Sequence, residues 1–413
     1  PDYCPDIVRI AETSAHFNFA GKEIRGGRIY ADGTLETSVL YVPETGGGLR
    51  KINLSLPVSQ AFELPDDVSI SDPSMVFVSA VAASVNSREL NPRKIAVKAS
   101  VNFNYRVFEK HEVSITSGIG GTDEYGLEHK TAPFGGKVCI GIKEKVLTLT
   151  DSAELSDAIT GDAEILKYEL APTITDVKQI PNKLVIKGEV AANLLIREGG
   201  DGGVSSCDTS FPFSGVVECQ GITDESQTKP SIRVTSGELK LSRDSSTDKL
   251  LLSAHLILSV CAENWEEFET DVVTDVYSVS HEIQYEVSTV KTSPPGDDIA
   301  VSSQHREIIP TGMEIHTVWS CTAEAESAAV FRDEGKSSVS VDAKVKLIFE
   351  TDDGGVYSLS KNISVAMELD SDAPLKAASY SVSGVGYHIS GSEDIEVQFA
   401  AEAVCVPSRE LEI

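Results

Sequence analysis

The stretch that decides the fold is "RIYADGTLETSVLYV", residues 28–42. Alternate residues from Ile29 to Tyr41 are mostly apolar or small, and the residues between them are mostly polar. A repeat of two residues is the period of a β-strand with one buried face. The same alternation returns in "KLVIKGEVAANLLIR", residues 183–197, and in "SVSVDAKVKLIFETD", residues 338–352. The sequence therefore predicts the same strand in three copies.

The three copies are evenly spaced along the chain. Gly33 and Gly188 hold the same place in the first two stretches (188 − 33 = 155), and a second step of 155 leads to Ala343. Small residues at a matched strand position predict a close backbone approach or a bulge. A turn rich in glycine or acidic residues follows each stretch ("PETGGG", "EGGDGG", "TDDGG"), with a further extended run behind it. This pattern is typical of a β-hairpin.

A second strand phrase is repeated as well. It reads "RKIAVKASVNFNYRV" at 93–107, "DKLLLSAHLILSVCA" at 248–262 and "EDIEVQFAAEAVCVP" at 393–407. The first two are again offset by 155 residues (250 − 95), and the third follows after 145 (395 − 250). Another strand-like run precedes each phrase, so every copy is expected to hold two hairpins and four or five long strands.

These patterns predict an all-β chain. We expect three tandem antiparallel β-sandwich-like repeats with a period of about 155 residues and a few short helices, the best candidates being 151–159 and 163–168. The polar, glycine-rich stretch 114–137 favours a linker. The expected organisation is a first domain at 1–115, a linker or loop at 116–152, a second domain at 153–272 and a divergent third domain at 273–413.

The net charge of the chain argues against some classes of binding partner. The chain has 35 Lys and Arg against 64 Asp and Glu, a net charge of −29, which is the wrong sign for binding nucleic acid or an anionic membrane surface. No run of 18 apolar residues predicts membrane insertion. The excess of acidic residues is interpreted as a feature that favours solubility. The alternative interpretation is calcium binding, at Asp201 or at Asp352 and Asp353. Both stretches lack spaced oxygen ligands and resemble hairpin turns.

Cysteine usage favours reduced, intracellular synthesis. There are seven cysteines, an odd number, and no C-x-x-C pair or Cys/His cluster that would predict a zinc site. Cys261 and Cys405 lie in strand-like runs, where free cysteine behaves as a small buried hydrophobe. Cys4, close to the first residue, is the candidate for an intermolecular disulfide.

Catalytic motifs were not found. The eight histidines form no H-E-x-x-H or H-x-H pair, "FGGKVC" lacks the G-K-[ST] of a phosphate loop, and there is no G-x-S-x-G elbow. We therefore expect no catalytic residues, no metal site and no cofactor, and a protein that is not an enzyme.

Several stretches together resemble a known family. They are "PDIVRI" (5–10), "GGRIYADGTLETSVLYV" (26–42), "NPRKIAVKASVNFNYRV" (91–107) and "AEILKYE" (163–169). They resemble the SPOCS domain of Firmicute spore-coat proteins, which occurs in tandem in coat morphogenetic proteins of the SipL type. The resemblance covers nearly the whole chain, is specific in the first two copies and is weak in the third.

The resemblance implies a location and partners. A protein of this type is made in the mother-cell cytoplasm and moves to the spore coat or spore surface, where it attaches the coat by binding coat proteins, including the coat ATPase SpoIVA. SipL-type proteins carry a C-terminal LysM module associated with binding that ATPase. No LysM segment is visible after the third copy.

Five residues near the two family motifs are candidate interaction or structural residues. Pro5, Asp6 and Ile7 either begin a strand that completes their own domain or form an arm that docks on a neighbour. Arg93 and Lys94 either frame the start of a strand or contact an acidic partner, which could be another copy of the chain.

The sequence thus predicts a structural scaffold that binds coat proteins or itself, with a homo-oligomer expected. One alternative is a self-polymerising filament or surface-layer subunit on the outer cell surface, with Cys4 and the N-terminal arm at the joint. Another is a cell-wall glycan-binding module. Aromatic residues make up only 6% of the chain, with tryptophan at 265 and 319, which argues against a stacking platform for sugars.

Overall fold

The fold is built almost entirely from antiparallel strands, which confirms the all-β prediction. Helix is scarce among the residues covered, and it includes a single 3-10 turn, Pro73–Met75. No helix in this part of the chain is long and apolar enough to span a membrane. The computed structural model describes residues 4–45, 48–64, 68, 70, 73–109, 112, 114–120, 125–155, 163–199, 203–223, 226–244, 249–287, 289–333, 335–371 and 373–412.

The first copy consists of a three-stranded sheet and a hairpin. Strand β2 is central in the first sheet and buries alternate residues from Ile29 to Val39, as its sequence predicts. The hairpin β4–β5 forms the second sheet. The strands are β1 (Ile7–Arg25), β2 (Arg28–Pro43), β3 (Arg50–Glu63), β4 (Val76–Asn91) and β5 (Lys94–Val107).

The second copy has two three-stranded sheets, in the orders β7-β8-β9 and β10-β11-β6. Its strands are β6 (Leu127–Glu154), β7 (Ala163–Ile180), β8 (Lys183–Glu198), β9 (Val204–Glu218), β10 (Gln227–Arg243) and β11 (Leu250–Ser278).

Two predictions for the second copy are wrong. Residues 127–152, expected to belong to the linker, form most of β6 and pair with β11. Residues 163–168, expected to be helical, begin β7 instead. Pairing with a neighbouring strand along the whole length outweighs local propensity in both cases. Residues 156–159 of the other helix candidate lie outside the described residues.

The third copy repeats this arrangement, with sheets β14-β15-β16 and β13-β18-β17 and a short pair β12-β19. Its strands are β12 (Thr289–Thr292), β13 (Ile299–Pro310), β14 (Ile315–Asp333), β15 (Lys336–Thr351), β16 (Val356–Leu369), β17 (Leu375–Ser390), β18 (Asp394–Pro407) and β19 (Arg409–Glu412). We call β6 and β13 the lead strands, because each precedes the first sheet of its copy and joins the second.

Small residues mark a bulge in every copy, as predicted. The strand register shifts next to the pairs Phe19–Gly33, Ile174–Gly188 and Ala325–Ala343. At Gly188 a Cβ atom would lie 2.1 Å from the carbonyl oxygen of Thr173, so the two backbones touch there. Only glycine allows so close an approach.

The three copies pack around a shared apolar cluster. It takes one residue from the first strand of each first sheet (Ala11, Leu166, Trp319) and one from each central strand (Leu40, Leu195, Ile348). Side chains also cross between copies: Arg9 donates to the carbonyl of Val356, and Lys51 to that of Ile165. Strand β14 contacts β9 in the same way. In each copy, the first strand of the first sheet therefore contacts the third strand of the first sheet of another copy. The contacting pairs are β1 and β16, β7 and β3, and β14 and β9.

Candidate interaction surfaces

Residues 5–10 and 91–107 of the first copy meet in space. The Asp6 carboxylate and the Arg93 guanidinium are 2.5 Å apart, and the Ile7 N–H donates to the Pro92 carbonyl at 2.8 Å. The Arg93 N–H donates to Oδ1 of Asn91 at 3.0 Å, which fixes the tight turn before β5. Together these contacts clasp the start of β1 onto the β4–β5 turn.

The backbone part of this clasp is repeated in the third copy. The Ile315 N–H donates to the Ser392 carbonyl at 2.8 Å, as Ile7 does to Pro92. Ile7 begins strand β1 and Asp6 lies just before it, and both contact the β4–β5 turn of their own copy. Pro5 is half-buried just before it, and Lys94 is exposed at the start of β5. A role for these five residues toward a partner stays a prediction.

Cys4 lies beside a buried tyrosine. Burial, together with the neighbouring Cys4 thiol, raises the pKa of Tyr41 to about 12. Cys4 is half-buried and unpaired, so the intermolecular disulfide stays a prediction. Cys261 and Cys405 are buried, as their strand positions predict.

A buried ion pair joins the first and second copies. Nζ of Lys167 lies 2.9 Å from Oε1 of Glu12 and 3.0 Å from Oε1 of Glu169. Burial on its own would lower the pKa of Lys167, but the two carboxylates outweigh that effect and raise it. Glu12 and Lys167 hold equivalent places in β1 and β7, and the third copy has Ser320 there. The copies are thus chemically distinct where they meet.

A central cavity of about 1490 Å³ is lined by strands of all three copies. His16 stacks on Tyr168 there, with ring centroids 5.5 Å apart. The His16 ring is accessible from the cavity, yet the surrounding protein lowers its pKa by desolvation. Burial likewise raises the pKa of the Cys321 thiol to about 12. The Cys321 thiol is therefore protonated at neutral pH and is not a reactive nucleophile.

An open groove of about 780 Å³ runs between β3 and β5 of the first copy. Its lining is mainly apolar, and Phe62 and Phe103 meet at one end with ring centroids 5.6 Å apart. Leu56 lies directly across from buried Leu35 on the inward side of β3, yet 54% of it is exposed. The apolar lining residues are Leu35, Leu56, Pro57, Val58, Phe62, Val97, Ala99, Val101 and Phe103.

The groove lies beside the outer edge of β5. Strand β11 pairs with β10 on one side and with lead strand β6 on the other, and β18 likewise lies between β17 and β13. In the same described part of the chain, β5 pairs with β4 alone. The edge of β5 is therefore open and faces the groove.

The acidic turn at residues 351–355 acts as a hairpin turn. Oδ1 of Asp353 accepts hydrogen bonds from the Thr351 hydroxyl and from the Gly355 N–H at 3.1 Å, and these contacts lower the pKa of Asp353. Asp352 lies 3.3 Å from His316. Asp201 is outside the described residues. Within the described ranges no group of three or more His, Cys, Asp or Glu is placed to hold a metal ion.

Residues 163–241 match a protein-family model described as SipL, SPOCS domain. The chain therefore contains a region similar to the SPOCS domain. The match runs from the start of β7 to near the end of β10, which places the SPOCS-like region in the second copy. It supports a role related to sporulation and the spore coat. No curated protein and no solved structure matches the chain.

The sequence pattern indicated the clasp residues but not the groove. The signal for the lead strands was present in "KVLTLTDSAEL", residues 145–155, and "IAVSSQHREII", residues 299–309. Both precede the family motifs of their copies and contain short stretches of alternation.

Proposed function

We propose that this protein is a non-enzymatic structural protein of the bacterial endospore envelope that binds spore-coat proteins through its β domains. The observation that carries the proposal is the combination of a SPOCS match with an open sheet edge on a body of three packed copies. An open strand edge offers backbone donors and acceptors to another chain. Several such surfaces on one chain gain affinity through high effective concentration.

The proposed location follows from the same match. The protein is made in the mother-cell cytoplasm and then joins the coat at the spore surface. Its partners are spore-coat proteins, with the coat ATPase SpoIVA one candidate, and further copies of the chain. The high negative charge favours partners with basic surface at the rim of the contact.

A test in sporulating cells separates this function from others. A fluorescent fusion is expected to collect at the forming spore, and affinity capture during coat assembly should enrich coat proteins. A deletion strain should lose or displace part of the coat. A fusion that stays dispersed in the mother cell and captures no coat protein would contradict the proposal.

Self-assembly is a second candidate, because the edge of β5 is open and Cys4 is unpaired. Light scattering over a concentration series, with and without reductant, measures it directly. Growth into large ordered particles favours a filament or surface-layer subunit. A monomer at every concentration argues against self-assembly as the main activity.

Glycan binding has weaker support. Trp319 is buried in the central cluster, and the face of Trp265 is covered by the Lys229 ammonium group, 5.2 Å from the ring. Neither ring is presented for stacking on a sugar. Failure to bind purified peptidoglycan, with coat proteins captured in parallel, would exclude the glycan function.

A further inference from the structure

We propose that the central cavity binds an organic cation, a primary ammonium group on an extended alkyl chain, between strands β1, β7 and β14. Each of the three copies contributes residues to the wall of this cavity. The site is separate from the groove beside β5, and the proposed coat function does not require it.

Side chains of the three strands converge on the cavity. Successive residues of a strand point to opposite faces. On β14, Cys321 and Ala323 pack against the core of the third copy, so Thr322 between them points out of that core and into the space between the copies. On β7, both chain neighbours of Glu169 pack against the core of the second copy, so Glu169 also points into this space.

Glu169 lies close to both of the other strands. The surrounding protein lowers the pKa of His16 on β1 by desolvation, burial raises the pKa of the Cys321 thiol on β14, and the charge of Glu169 acts on both groups. Glu324, two residues beyond Thr322 on β14, also acts on His16. A ligand in the cavity therefore meets polar groups from all three copies.

Thr322 is the residue that points to a bound ligand. Only 5% of it is exposed, and no described group forms a hydrogen bond with its hydroxyl oxygen. Buried polar groups in native proteins are normally hydrogen-bonded, and a buried hydroxyl without a partner is destabilising. Because Thr322 lines the cavity, a donor on a bound molecule would supply the missing hydrogen bond.

The cavity has an excess of negative charge. Among the described residues, its wall carries four glutamates and no lysine or arginine. Three nearby lysines form ion pairs with three of these carboxylates and with Glu12. The fourth, Glu402, accepts hydrogen bonds from two serine hydroxyls instead. Two carboxylates are thus in excess over the lysines, and the residues concerned are Glu12, Glu169, Glu324, Glu326 and Glu402 with Lys167, Lys344 and Lys346.

An ammonium group suits this arrangement better than a metal ion. Within the described part of the chain no three His, Cys, Asp or Glu side chains are close enough together to hold a metal ion. An alkylammonium group carries three N–H donors and reaches acceptors that are farther apart. Its acceptors here are the Glu169 carboxylate, the Thr322 hydroxyl and the imidazole of His16, which is neutral because its pKa is lowered.

The size of the cavity indicates a ligand with an extended chain. Its volume of about 1490 Å³ exceeds the roughly 300–1,000 Å³ of most small-molecule sites. Apolar residues, among them Ala82, Ala171 and Ala323, form the wall between the polar groups and suit an alkyl chain. A free polyamine and a lysine side chain of a polypeptide both supply this chemistry, and binding experiments separate the two sources.

Isothermal titration calorimetry of the purified full chain with spermidine tests the site. We expect saturable binding at physiological ionic strength, with slower amide hydrogen exchange confined to the cavity strands around His16, Glu169 and Thr322. A neutral chain of similar length, octanediol, should not bind. Tighter binding of a short peptide that contains lysine would assign the site to a polypeptide, and tighter binding of spermidine would assign it to a free polyamine.

Thr322→Val separates a binding role from a structural one. The change removes only a hydroxyl that lacks a partner in the protein, so the melting temperature should stay the same or rise. The affinity for spermidine should fall about tenfold, as expected for a lost hydrogen bond to a charged group. Glu324→Gln should weaken binding several-fold and reduce its salt dependence. Glu368→Gln is the matched control, because Glu368 is exposed on β16 outside the cavity, and it should not change binding.

The proposal is overturned if neither spermidine nor the lysine peptide binds, if octanediol binds as well as spermidine, or if Thr322→Val leaves binding unchanged. It is also overturned if Glu368→Gln weakens binding as much as Glu324→Gln, since the negative charge of the whole chain would then attract the cation without a site. The assay uses no coat protein, so its failure leaves the coat function standing. Conversely, a dispersed fusion in cells would not affect binding of spermidine.

Discussion

Replacing Lys167 with methionine tests how the first two copies are held together. The Lys167 side chain is only 6% exposed, and that of Glu12 is 10% exposed. The change keeps the apolar stem but leaves the Glu12 carboxylate buried without its counter-ion. Removing one member of a buried pair costs about 3–5 kcal/mol, and we expect the free energy of unfolding to fall by that amount.

A double variant separates the loss of the pair from the loss of packing. When Glu12→Leu accompanies Lys167→Met, no buried charge is left unpaired, because Glu169 is more exposed and can be hydrated. Replacing a buried ion pair with apolar residues is often close to neutral. We therefore expect the double variant to recover most of the stability that the single variant loses.

Urea denaturation followed by tryptophan fluorescence, in a Trp265→Phe background, is the assay, since the remaining Trp319 lies in the cluster that joins the three copies. Lys240→Met is the control, because its pair with Glu238 is exposed and is expected to contribute less than about 1 kcal/mol. Because the pKa of Lys167 is raised in the folded protein, the ion pair contributes its full stabilisation below about pH 10.4, the pKa of an unfolded lysine. That stabilisation is lost only as the pH rises through the higher pKa of the folded state. The reasoning is refuted if Lys167→Met costs less than about 1 kcal/mol or if the double variant is no more stable than the single one.

Three further predictions concern single sites. Gly188→Ala should lower the free energy of unfolding by about 1–3 kcal/mol, because the added Cβ would clash with the neighbouring backbone. Gly141→Ala is the control and should not lower it, because open space surrounds Gly141. Thermal melts of both variants test this prediction. A double-mutant cycle on Asp6 and Arg93 should give a coupling of about 0.2–1 kcal/mol in urea melts, since both side chains are partly exposed; a coupling above about 2 kcal/mol would contradict a surface clasp. Because its pKa is raised, Cys321 should have roughly a thousandfold less thiolate at pH 8 than an ordinary thiol. Mass spectrometry should therefore show that Cys321 is alkylated far more slowly than a free cysteine peptide. Equal alkylation rates would contradict this prediction.

The strand pattern was readable from sequence because each sheet has one buried face. Alternation in residues 28–42, 183–197 and 338–352 gave the central strands β2, β8 and β15, and small residues within them gave the bulges. The prediction failed at β6, where the polar, glycine-rich stretch 114–137 suggested a linker. Pairing with β11 holds residues 127–137 of that stretch in a strand, and such long-range pairing leaves no local signal.

The packing between the copies could not be predicted from the alternation of apolar and polar residues alone. Near the end of each central strand the alternation breaks into a run of three buried residues, "VLY", "LLI" and "LIF". The middle residue of each run (Leu40, Leu195, Ile348) points away from its own core and into the shared cluster. A face that is buried by another copy is thus marked by a break in period, but the sequence does not say which copy buries it.

The most direct test of the open first copy is amide hydrogen exchange on the purified chain without any partner. The account predicts that amides of β5 exchange at least about tenfold faster than those of β11 and β18, because β5 is paired on one side only. Equal protection of all three strands would contradict the account, since it would mean that the edge of β5 is already covered.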